Sequence, residues 1–430
     1  MVNKLIKEDT KMFLTGNEVL AYAANSAEAE FMYGYPITPQ NEIMHTWCKL
    51  LPKTGAGFLQ TEDEISAGFS TIGGILAGKR AFTATAGPGN VIMQDAQSMA
   101  EMMRIPFVCA VMQRGGPSTA TVIYAQQETR LTCFGGNGEG FRIVYSTAGH
   151  QDLYDYMIKA FNTAWKYRFP TYVLADGYQG KMREPVMLYD PASRGINMVP
   201  TTKALLGEGE IGVDRKSVHL RNTYNMEEEL MDVLEGYKAD YEKMSEEVQE
   251  WEEYKAEDAE ILVIAHGIVA RSARTAIDEL REKGIKAGLF RPITIRPLAV
   301  KPLRAAVKRA KQILFTESAN DEHDKSGRRA AHQPAIHHTG HPRAGRPLWH
   351  PPIQTHGTEN PPDTGRPPSG KICQRNPFPA AAGRIKHACL AKANAYMDRR
   401  QHHHWRRIPR RPPAARTPAL ARSGNPLRCP

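Results

Sequence analysis

The sequence has few cysteines, and none of them are spaced like paired metal ligands. Its 430 residues include six, which lie far apart at Cys48, Cys109, Cys133, Cys373, Cys389 and Cys429. Disulfide-rich domains and iron–sulfur clusters need several cysteines at short, repeated intervals. This spacing excludes a disulfide scaffold, and it excludes an iron–sulfur cluster held by this chain alone.

Long hydrophobic runs are absent as well. A membrane-spanning helix needs about 20 consecutive apolar residues. The longest runs here, such as residues 105–112 and 261–265, are far shorter and suit buried strands. The first residues lack an apolar segment followed by a small-residue cleavage site, so we expect no secretory signal. We therefore expect a cytoplasmic location and no membrane association.

The net charge of +10 is distributed unevenly along the chain. Residues 321–430 contain 16 Arg and 4 Lys against 6 acidic residues, and they hold 17 of the 30 prolines but no valine. The remaining residues contain 36 basic and 40 acidic side chains, so they are slightly acidic. A segment so poor in apolar residues cannot bury enough surface to offset its ordering entropy. We therefore predict a disordered basic tail over residues 320–430.

Two origins are open for this tail. Hydrophobic periodicity ends within a few residues of Ser318, and a natural boundary there would leave a strand edge uncovered. We therefore favour a frameshifted translation from about residue 320 over an evolved disordered extension. Basic tails bind nucleic acids through phosphate contacts that do not read sequence, so we expect no specific nucleic-acid partner.

The pattern before the tail is that of an α/β protein. Short β-rich runs alternate with helical patterns, which is typical of a largely parallel sheet with crossover helices. A second β-α-β-α-β pattern begins at residue 261 and stops after its third strand. The strands predicted for the first part are residues 30–33, 57–60, 81–85, 105–113, 143–145 and 171–175; those for the second part are residues 261–265, 286–290 and 313–316. The helix after the second strand has one apolar stripe, formed by Ile65, Phe69, Ile72 and Leu76.

Four polar or glycine-rich segments follow the first four predicted strands. They are residues 35–39 (YPITP), 62–64 (EDE), 86–90 (AGPGN) and 113–119 (QRGGPST). Taken alone, each is compatible with an ordinary turn. The carboxyl ends of parallel strands share one edge of the sheet, and open α/β proteins bind ligands there. We therefore expect the four segments to converge on one site.

Two charged residues in these segments have more than one interpretation. Glu64 opens a Glu-x3-Gly-x4-Gly-x4-Gly spacing through Gly68, Gly73 and Gly78, and such glycines let a backbone or a cofactor ring approach a helix closely. The alternative for Glu64 is a carboxylate that only favours the helix dipole. Arg114 has two glycine neighbours and therefore room to bind a small carboxylate through both arms of its guanidinium. A surface ion pair is the alternative for Arg114.

The four segments together resemble one known family. The α subunit of 2-oxoacid:ferredoxin oxidoreductases is similar in segments that read GYPITPQNEI, FLQTEDEIS, FTATAGPG and QRGGPST, in this order. The resemblance extends over residues 12–318 and is greatest to the 2-oxoglutarate branch, whereas FGGNGEGFR is more similar to the branched-chain 2-oxoacid branch. It implies CoA-dependent oxidative decarboxylation of a 2-oxoacid, with 2-oxoglutarate favoured, to an acyl-CoA and CO2, with electrons passed to ferredoxin.

The family's fold implies four parts along the chain. We expect a pyrimidine-type thiamine-diphosphate-binding domain with a parallel sheet over residues 12–195. A linker with acidic helices follows over residues 196–260. The truncated start of a transketolase-C-terminal-like α/β domain occupies residues 261–319, and the disordered tail occupies residues 320–430.

The resemblance also implies roles for individual residues. Glu64 matches the acid that hydrogen-bonds the aminopyrimidine ring of thiamine diphosphate and helps to activate the cofactor, and Glu62 is the competing acid. Thr38 matches a residue of the substrate pocket. Arg114 matches the arginine that holds the carboxylate of the 2-oxoacid.

The cofactor loop is matched less completely. Gly87 and Pro88 correspond to residues of this loop in the family. Beyond QRGGPST the chain reads ATVIYAQQETR over residues 120–130, where the family continues with glycine and a lysine-bearing loop. This departure leaves recognition of a distal substrate carboxylate open.

The sequence lacks the Gly-Asp-Gly motif that binds Mg²⁺ and the diphosphate in thiamine enzymes. Its nearest match, Ala175-Asp176-Gly177, looks like the end of a strand. The resemblance therefore implies that thiamine diphosphate is shared with a β subunit, which carries the Mg²⁺ and a 4Fe-4S cluster. It further implies γ and ferredoxin-like δ subunits, ferredoxin as electron acceptor and coenzyme A as co-substrate. The alternatives are pyruvate or branched-chain specificity, or a non-catalytic scaffold subunit of such a complex.

Overall fold

The computed structural model describes residues 2–122, 124–201 and 220–318, and all of them belong to one structural unit. The predicted tail and its frameshift lie outside the described residues, so both stay predictions. The described strands, in chain order, are β1 (Thr10–Thr15), β2 (Phe31–Gly34), β3 (Gly57–Gln60), β4 (Ala81–Thr85), β5 (Val108–Gln113), β6 (Ile143–Ser146), β7 (Thr171–Asp176), β8 (Arg183–Leu188), β9 (Trp251–Tyr254), β10 (Ile261–Ile264), β11 (Ala287–Pro292), β12 (Thr294–Arg296) and β13 (Gln312–Phe315). The described helices are α1 (Gly16–Ser26), α2 (Asn41–Thr54), α3 (Glu64–Leu76), α4 (Pro88–Ile92), α5 (Gln94–Met102), α6 (Thr129–Phe134), α7 (His150–Tyr167), α8 (Gly177–Lys181), α9 (Glu227–Val248), α10 (Gly267–Glu282) and α11 (Val300–Arg309).

A seven-stranded sheet organises the first part of the chain. Its strand order is β3-β2-β4-β5-β7-β6-β12. Every neighbouring pair is parallel except β6 with β12. The six strands predicted for this part correspond to β2 to β7, with small differences at their ends. The predicted α/β class, with a largely parallel sheet and crossover helices, is confirmed.

The direction of strand addition changes at β2. This strand pairs with β3 on one side and with β4 on the other, because the chain crosses over β2 after forming β3. Ligands in open α/β sheets bind beyond the carboxyl ends of the strands at such a change of direction. The four segments singled out in the sequence follow β2, β3, β4 and β5, which are consecutive neighbours in the sheet. The topology thus brings the four segments to one crevice.

Helix α3 buries only part of the predicted stripe. Ile72 is buried and Phe69 and Leu76 are partly buried against the core, but Ile65 is 41% exposed. The helix instead packs through small residues, because a Cβ on Gly68 would lie only 2.6 Å from the Cβ of Ala96 on α5. Close approach of two helix backbones through small side chains therefore outweighs the burial of Ile65.

Four strands have no counterpart in the sequence prediction. They are β1 and β8, which form a two-stranded antiparallel sheet, and the edge strands β9 and β12. All four lie at sheet edges and are at least partly solvent-exposed, so their hydrophobic patterns are weak. β1 leads directly into α1 through a capping box, in which Thr15 and Glu18 each accept a hydrogen bond from the other's backbone amide.

The second sheet has the strand order β13-β10-β11-β9. β10, α10, β11, α11 and β13 reproduce the predicted β-α-β-α-β pattern, with β10 parallel to both β11 and β13. β9 is antiparallel to β11 and lies, with α9, in the stretch that the sequence assigned to a linker of acidic helices. Two of the four residues of β9 are glutamates, so the sequence shows no hydrophobic strand pattern there. Among the described helices, none is long and apolar enough to cross a membrane.

Candidate active site

Arg114 and Thr38 meet beyond the ends of β5 and β2. The Arg114 side chain is 5% exposed, and its Nη1 donates a hydrogen bond to the Thr38 carbonyl at 2.9 Å. The loop around Thr38 is held by buried Asn17, whose Nδ2 donates to the Pro39 carbonyl at 2.8 Å. The structure thus brings the two residues assigned to substrate binding into direct contact.

Glu64 is the first residue of α3, at the end of the loop that follows β3. Asp63 caps the helix by accepting a hydrogen bond from the Ser66 amide at 2.6 Å, which leaves the Glu64 carboxyl free to turn inward. Glu64 is 5% exposed, and this burial raises the pKa of its carboxyl above the ordinary value. Glu62, the competing acid, is exposed. The two carboxylates are therefore in different environments, and only Glu64 belongs to the crevice.

The turn after β4 passes closely by both charged residues. Gly87 has φ +52°, and a Cβ there would lie 2.5 Å from Arg114 Nε. A Cβ on Gly89 would overlap Glu64 Oε1. Pro88, between them, is the first residue of the short helix α4. Glycine is required at both positions because the Arg114 and Glu64 side chains occupy the space of a Cβ.

Two residues of this region escaped the sequence prediction. Glu128, at the start of α6, is 6% exposed, and its Oε2 accepts a hydrogen bond from the Arg114 amide at 3.1 Å. Gln126 is 3% exposed, and its Nε2 donates a hydrogen bond to the His266 carbonyl, in the loop after β10. Both lie in the segment ATVIYAQQETR, which departs from the family pattern. No periodicity or motif in that segment marks either side chain as buried.

The three glycines in the spacing that Glu64 opens have different surroundings. Gly68 allows the close packing against α5, and Gly78 adopts φ +83° just after the helix ends. A Cβ on Gly73 would meet nothing within 4 Å among the described residues. The interpretation that these glycines admit a neighbouring backbone therefore holds for Gly68, while Gly78 ends the helix, as glycines commonly do.

Asp176 lies at the carboxyl end of β7, as the sequence suggested for the nearest match to a metal motif. Its Oδ1 accepts hydrogen bonds from the amides of Tyr178 and Gln179 at 2.8 and 3.1 Å, so it caps α8. Complete burial raises the pKa of Asp176 to about 6. The predicted strand end is confirmed, and the Asp176 carboxylate already accepts hydrogen bonds from two backbone amides of α8.

Comparison with known proteins matches nearly the whole described chain. Residues 22–253 match the family "Pyruvate flavodoxin/ferredoxin oxidoreductase, thiamine diP-bdg", and residues 259–327 match "Pyruvate:ferredoxin oxidoreductase core domain II". The 2-oxoglutarate synthase subunit KorA of Methanocaldococcus jannaschii is 33% identical, over 71% of this chain and 87% of the relative. The ketoisovalerate oxidoreductase subunit VorB of Methanothermobacter marburgensis is 34% identical, over 67% and 81%.

A solved structure agrees with these matches. The 2-oxoglutarate:ferredoxin oxidoreductase from Magnetococcus marinus, solved with 2-oxoglutarate, coenzyme A and succinyl-CoA bound, superposes with a TM-score of 0.62 at 25% identity. The match covers 72% of this chain but only 58% of that chain. Fold, crevice and sequence matches lead to the same conclusion: the chain belongs to the α subunits of the 2-oxoacid:ferredoxin oxidoreductases and carries their thiamine-diphosphate-binding domain.

Proposed function

We propose that this chain is the α subunit of a complex that oxidatively decarboxylates 2-oxoglutarate to succinyl-CoA and CO2, with two electrons passed to ferredoxin. The observation that carries the proposal is the convergence of Thr38, Glu64, Gly87 and Arg114 in one crevice. We further propose the domain limits expected from the sequence, with the cofactor domain over residues 12–195.

The buried groups of the crevice fit the aminopyrimidine half of thiamine diphosphate. Among the described residues, no side chain donates a hydrogen bond to the Glu64 carboxyl, although that carboxyl is buried. Thr85 Oγ1 lies on the same side of the Gly89 backbone and is a buried atom without a partner in the described chain. A flat heterocycle with ring nitrogens and an amino group would satisfy such atoms. Bound thiamine diphosphate would supply the nucleophilic carbon and the electron sink for decarboxylation.

Glu64 is proposed to hold a proton between its carboxyl and a pyrimidine nitrogen. A carboxyl in a dry crevice keeps its proton at higher pH than one in water, and it forms a stronger hydrogen bond. The raised pKa of Glu64 supports this role. Glu62 is exposed to solvent, so we assign the role to Glu64.

Arg114 and Thr38 are proposed to orient the 2-oxoacid. One arm of the guanidinium is used by the Thr38 carbonyl, and Arg114 Nε is buried without a hydrogen-bond partner in the described chain. A substrate carboxylate is the group that such a guanidinium binds best. The substrate carboxylate leaves as CO2, so the arginine has to position it without binding it so tightly that the ground state is stabilised. Gly87 and Pro88 are proposed to belong to the cofactor loop, and Gly87 lies directly against the Arg114 side chain.

The names of the relatives support the choice of substrate. KorA and the Magnetococcus structure are named for 2-oxoglutarate, whereas VorB, of similar identity, is named for ketoisovalerate. Branched-chain specificity is therefore the second candidate.

Two aromatic side chains lie on one side of the crevice. The ring of Tyr124 packs against the ring of Tyr178, with the ring centroids 4.7 Å apart.

The partner subunits belong to the same proposal. A β subunit would hold the diphosphate, Mg²⁺ and the 4Fe-4S cluster, with γ and ferredoxin-like δ subunits in the complex and ferredoxin as electron acceptor. Large apolar side chains are exposed beside the site, on β3, at the start of α3 and on α4, namely Leu59, Ile65, Val91 and Ile92. Exposed apolar side chains of this size suit a protein interface. The cytoplasmic location stays part of the proposal.

The test is the activity of the full-length chain co-expressed with a β subunit. We expect ferredoxin reduction that requires coenzyme A, with kcat/KM for 2-oxoglutarate about tenfold or more above that for pyruvate or 3-methyl-2-oxobutanoate. A preference for 3-methyl-2-oxobutanoate would establish the second candidate. A complex that assembles with bound thiamine diphosphate but reduces ferredoxin with none of the three would support the scaffold alternative and contradict the proposal.

A further inference from the structure

Glu128 connects three parts of the crevice. Its Oε2 accepts a hydrogen bond from the Arg114 amide at 3.1 Å. Its Oε1 is buried without a hydrogen-bond partner in the described part of the chain, and the Gly87 backbone and the Asn90 side chain lie near the carboxyl group. The carboxylate thus lies between the end of β5, the turn after β4 and the helix that begins at Pro88. None of the roles proposed above uses it.

Hydrogen bonds join the segment around Glu128 to the end of β5, with acceptors on both Glu128 and Gln113. Gln113, which precedes Arg114, accepts hydrogen bonds at its Oε1 from the Glu128 amide at 3.3 Å and from Thr129 Oγ1 at 3.1 Å. Gln113 is itself held by a hydrogen bond from its Nε2 to the Ala175 carbonyl at 3.0 Å. Residues 113–114 and 128–129 therefore form a closed connection at the base of the loop between them.

The electrostatic surroundings of Glu128 are unusual for an ordinary structural carboxylate. Burial raises the pKa of Glu128 to about 7, although the Arg114 and Gly87 amides and the Arg114 charge act in the opposite direction. The buried thiol of Cys109 on β5 also interacts electrostatically with Glu128. An apolar side chain at this position would leave the buried Arg114 amide without its acceptor, so the carboxylate does more than fill space.

We propose that Glu128 is a positioning residue for the substrate carboxylate, and this inference rests on the proposed function. By accepting the Arg114 amide with one oxygen while the Gly87 turn lies beside the same carboxyl group, it fixes the backbone of Arg114 next to the glycine turn. The guanidinium of Arg114 lies against that turn, so its direction depends on the distance between the two. Glu128 itself touches neither substrate nor cofactor in this proposal.

The experiment compares Glu128→Ala, Glu128→Gln and the control Glu139→Ala in the assembled complex. Glu139 is an exposed glutamate in the following loop. We expect Glu128→Ala to raise the KM for 2-oxoglutarate by about 10- to 100-fold, because buried amides lose their acceptor. The KM for coenzyme A and the retained thiamine diphosphate should stay unchanged. Glu128→Gln keeps one oxygen acceptor for the Arg114 amide, so most of the loss should be restored.

A second readout needs no turnover. Isothermal titration of the cofactor-free complex with 2-oxoglutarate should show the same order of affinities, with Glu139→Ala equal to wild type. If Glu128→Ala lowers kcat, the affinities for both substrates and the melting temperature together, Glu128 is only structural and the inference is wrong. The same conclusion follows if Glu128→Gln restores none of the loss. If the wild-type complex binds 2-oxoglutarate but does not turn it over, the proposed function fails while the titration still tests Glu128.

Discussion

Gln126 and Ser318 exchange two hydrogen bonds. The Gln126 amide donates to the Ser318 carbonyl at 2.8 Å, and the Ser318 amide donates to Gln126 Oε1 at 3.0 Å. Gln126 Nε2 also donates to the His266 carbonyl at 3.1 Å. Gln126 belongs to the loop that follows Arg114, whereas His266 and Ser318 follow β10 and β13 of the second sheet. The loop beside the candidate active site is therefore attached to the carboxyl edge of the second sheet by one buried residue, through its backbone amide and its side chain.

This attachment predicts that Gln126→Ala weakens the connection between the two sheets. The loss of side-chain hydrogen bonds in a buried position should lower the free energy of unfolding by about 1–3 kcal/mol. Urea denaturation measures the loss, and limited proteolysis should cleave more rapidly near residues 115–125. Gln127→Ala is the matched control, because Gln127 is exposed and its Oε1 accepts the Gly116 amide of its own loop. Equal effects of both substitutions would contradict the prediction.

Replacement of the proposed cofactor acid should separate binding from turnover. We expect Glu64→Gln in the assembled complex to retain thiamine diphosphate but to lose turnover by about 100-fold or more, because glutamine cannot exchange a proton with the pyrimidine ring. Bound cofactor is measured by its fluorescence after oxidation, and turnover by ferredoxin reduction. Glu62→Gln should remain active. The opposite result, an active Glu64→Gln beside an inactive Glu62→Gln, would transfer the role to Glu62.

Arg114→Lys tests the substrate pocket. Lysine keeps the positive charge but lacks the planar fork that matches a carboxylate. We expect the KM for the 2-oxoacid to rise by about tenfold, or about 1.4 kcal/mol, while the KM for coenzyme A stays within experimental error. Steady-state kinetics with each substrate varied in turn gives both values. An equal increase for both substrates would contradict the assignment of Arg114 to the 2-oxoacid.

Asp176 predicts a pH-dependent contribution to stability. Because burial raises the folded-state pKa of Asp176 to about 6, the folded chain keeps a proton that the unfolded chain releases between about pH 4 and pH 6. The free energy of unfolding should therefore decrease as the pH rises through this interval. Asp176→Asn keeps the oxygen that caps α8 and has no charge to bury, so it should be more stable than wild type at pH 7 by about 1–3 kcal/mol.

The comparison for Asp176→Asn is made by urea denaturation at pH 4 and pH 7. At pH 4 the wild-type carboxyl is largely protonated in the folded chain, so the two proteins should differ much less. A variant that is less stable than wild type at both pH values would show that the aspartate charge stabilises the cap. That result would contradict the prediction.

The sequence was sufficient for the main sheet and for the convergence of its motifs. Buried parallel strands such as β4 and β5 are continuous apolar runs, and their pattern is local, so residues 81–85 and most of 105–113 could be recognised without tertiary information. Parallel connectivity then places the segments after consecutive strands at one edge. Thr38, Glu64, Gly87 and Arg114 were found by this route together with the family resemblance.

Other features depend on partners that are distant in sequence. β12 is only three residues long and exists because it pairs with β6, some 150 residues earlier. The buried face of α3 depends on α5, whose Ala96 faces Gly68, so the local stripe did not show that Gly68 is buried while Ile65 is exposed. Short strands and helix faces are selected by the surfaces they meet, and a single-sequence pattern contains no information about those surfaces.

Glu128 and Gln126 illustrate the same limit within the site. Both are polar residues in a segment without periodicity, and nothing in their immediate neighbours marks them as buried. Their burial follows from hydrogen bonds to Arg114 and Ser318, which are 14 and 192 positions away in the chain. Composition and strand pattern thus suffice for the fold class, and motif spacing together with the family resemblance suffices to propose the residues for cofactor and substrate. The side chains that hold those residues in place emerge only when the chain has folded, because their partners are set by three-dimensional contact and not by spacing.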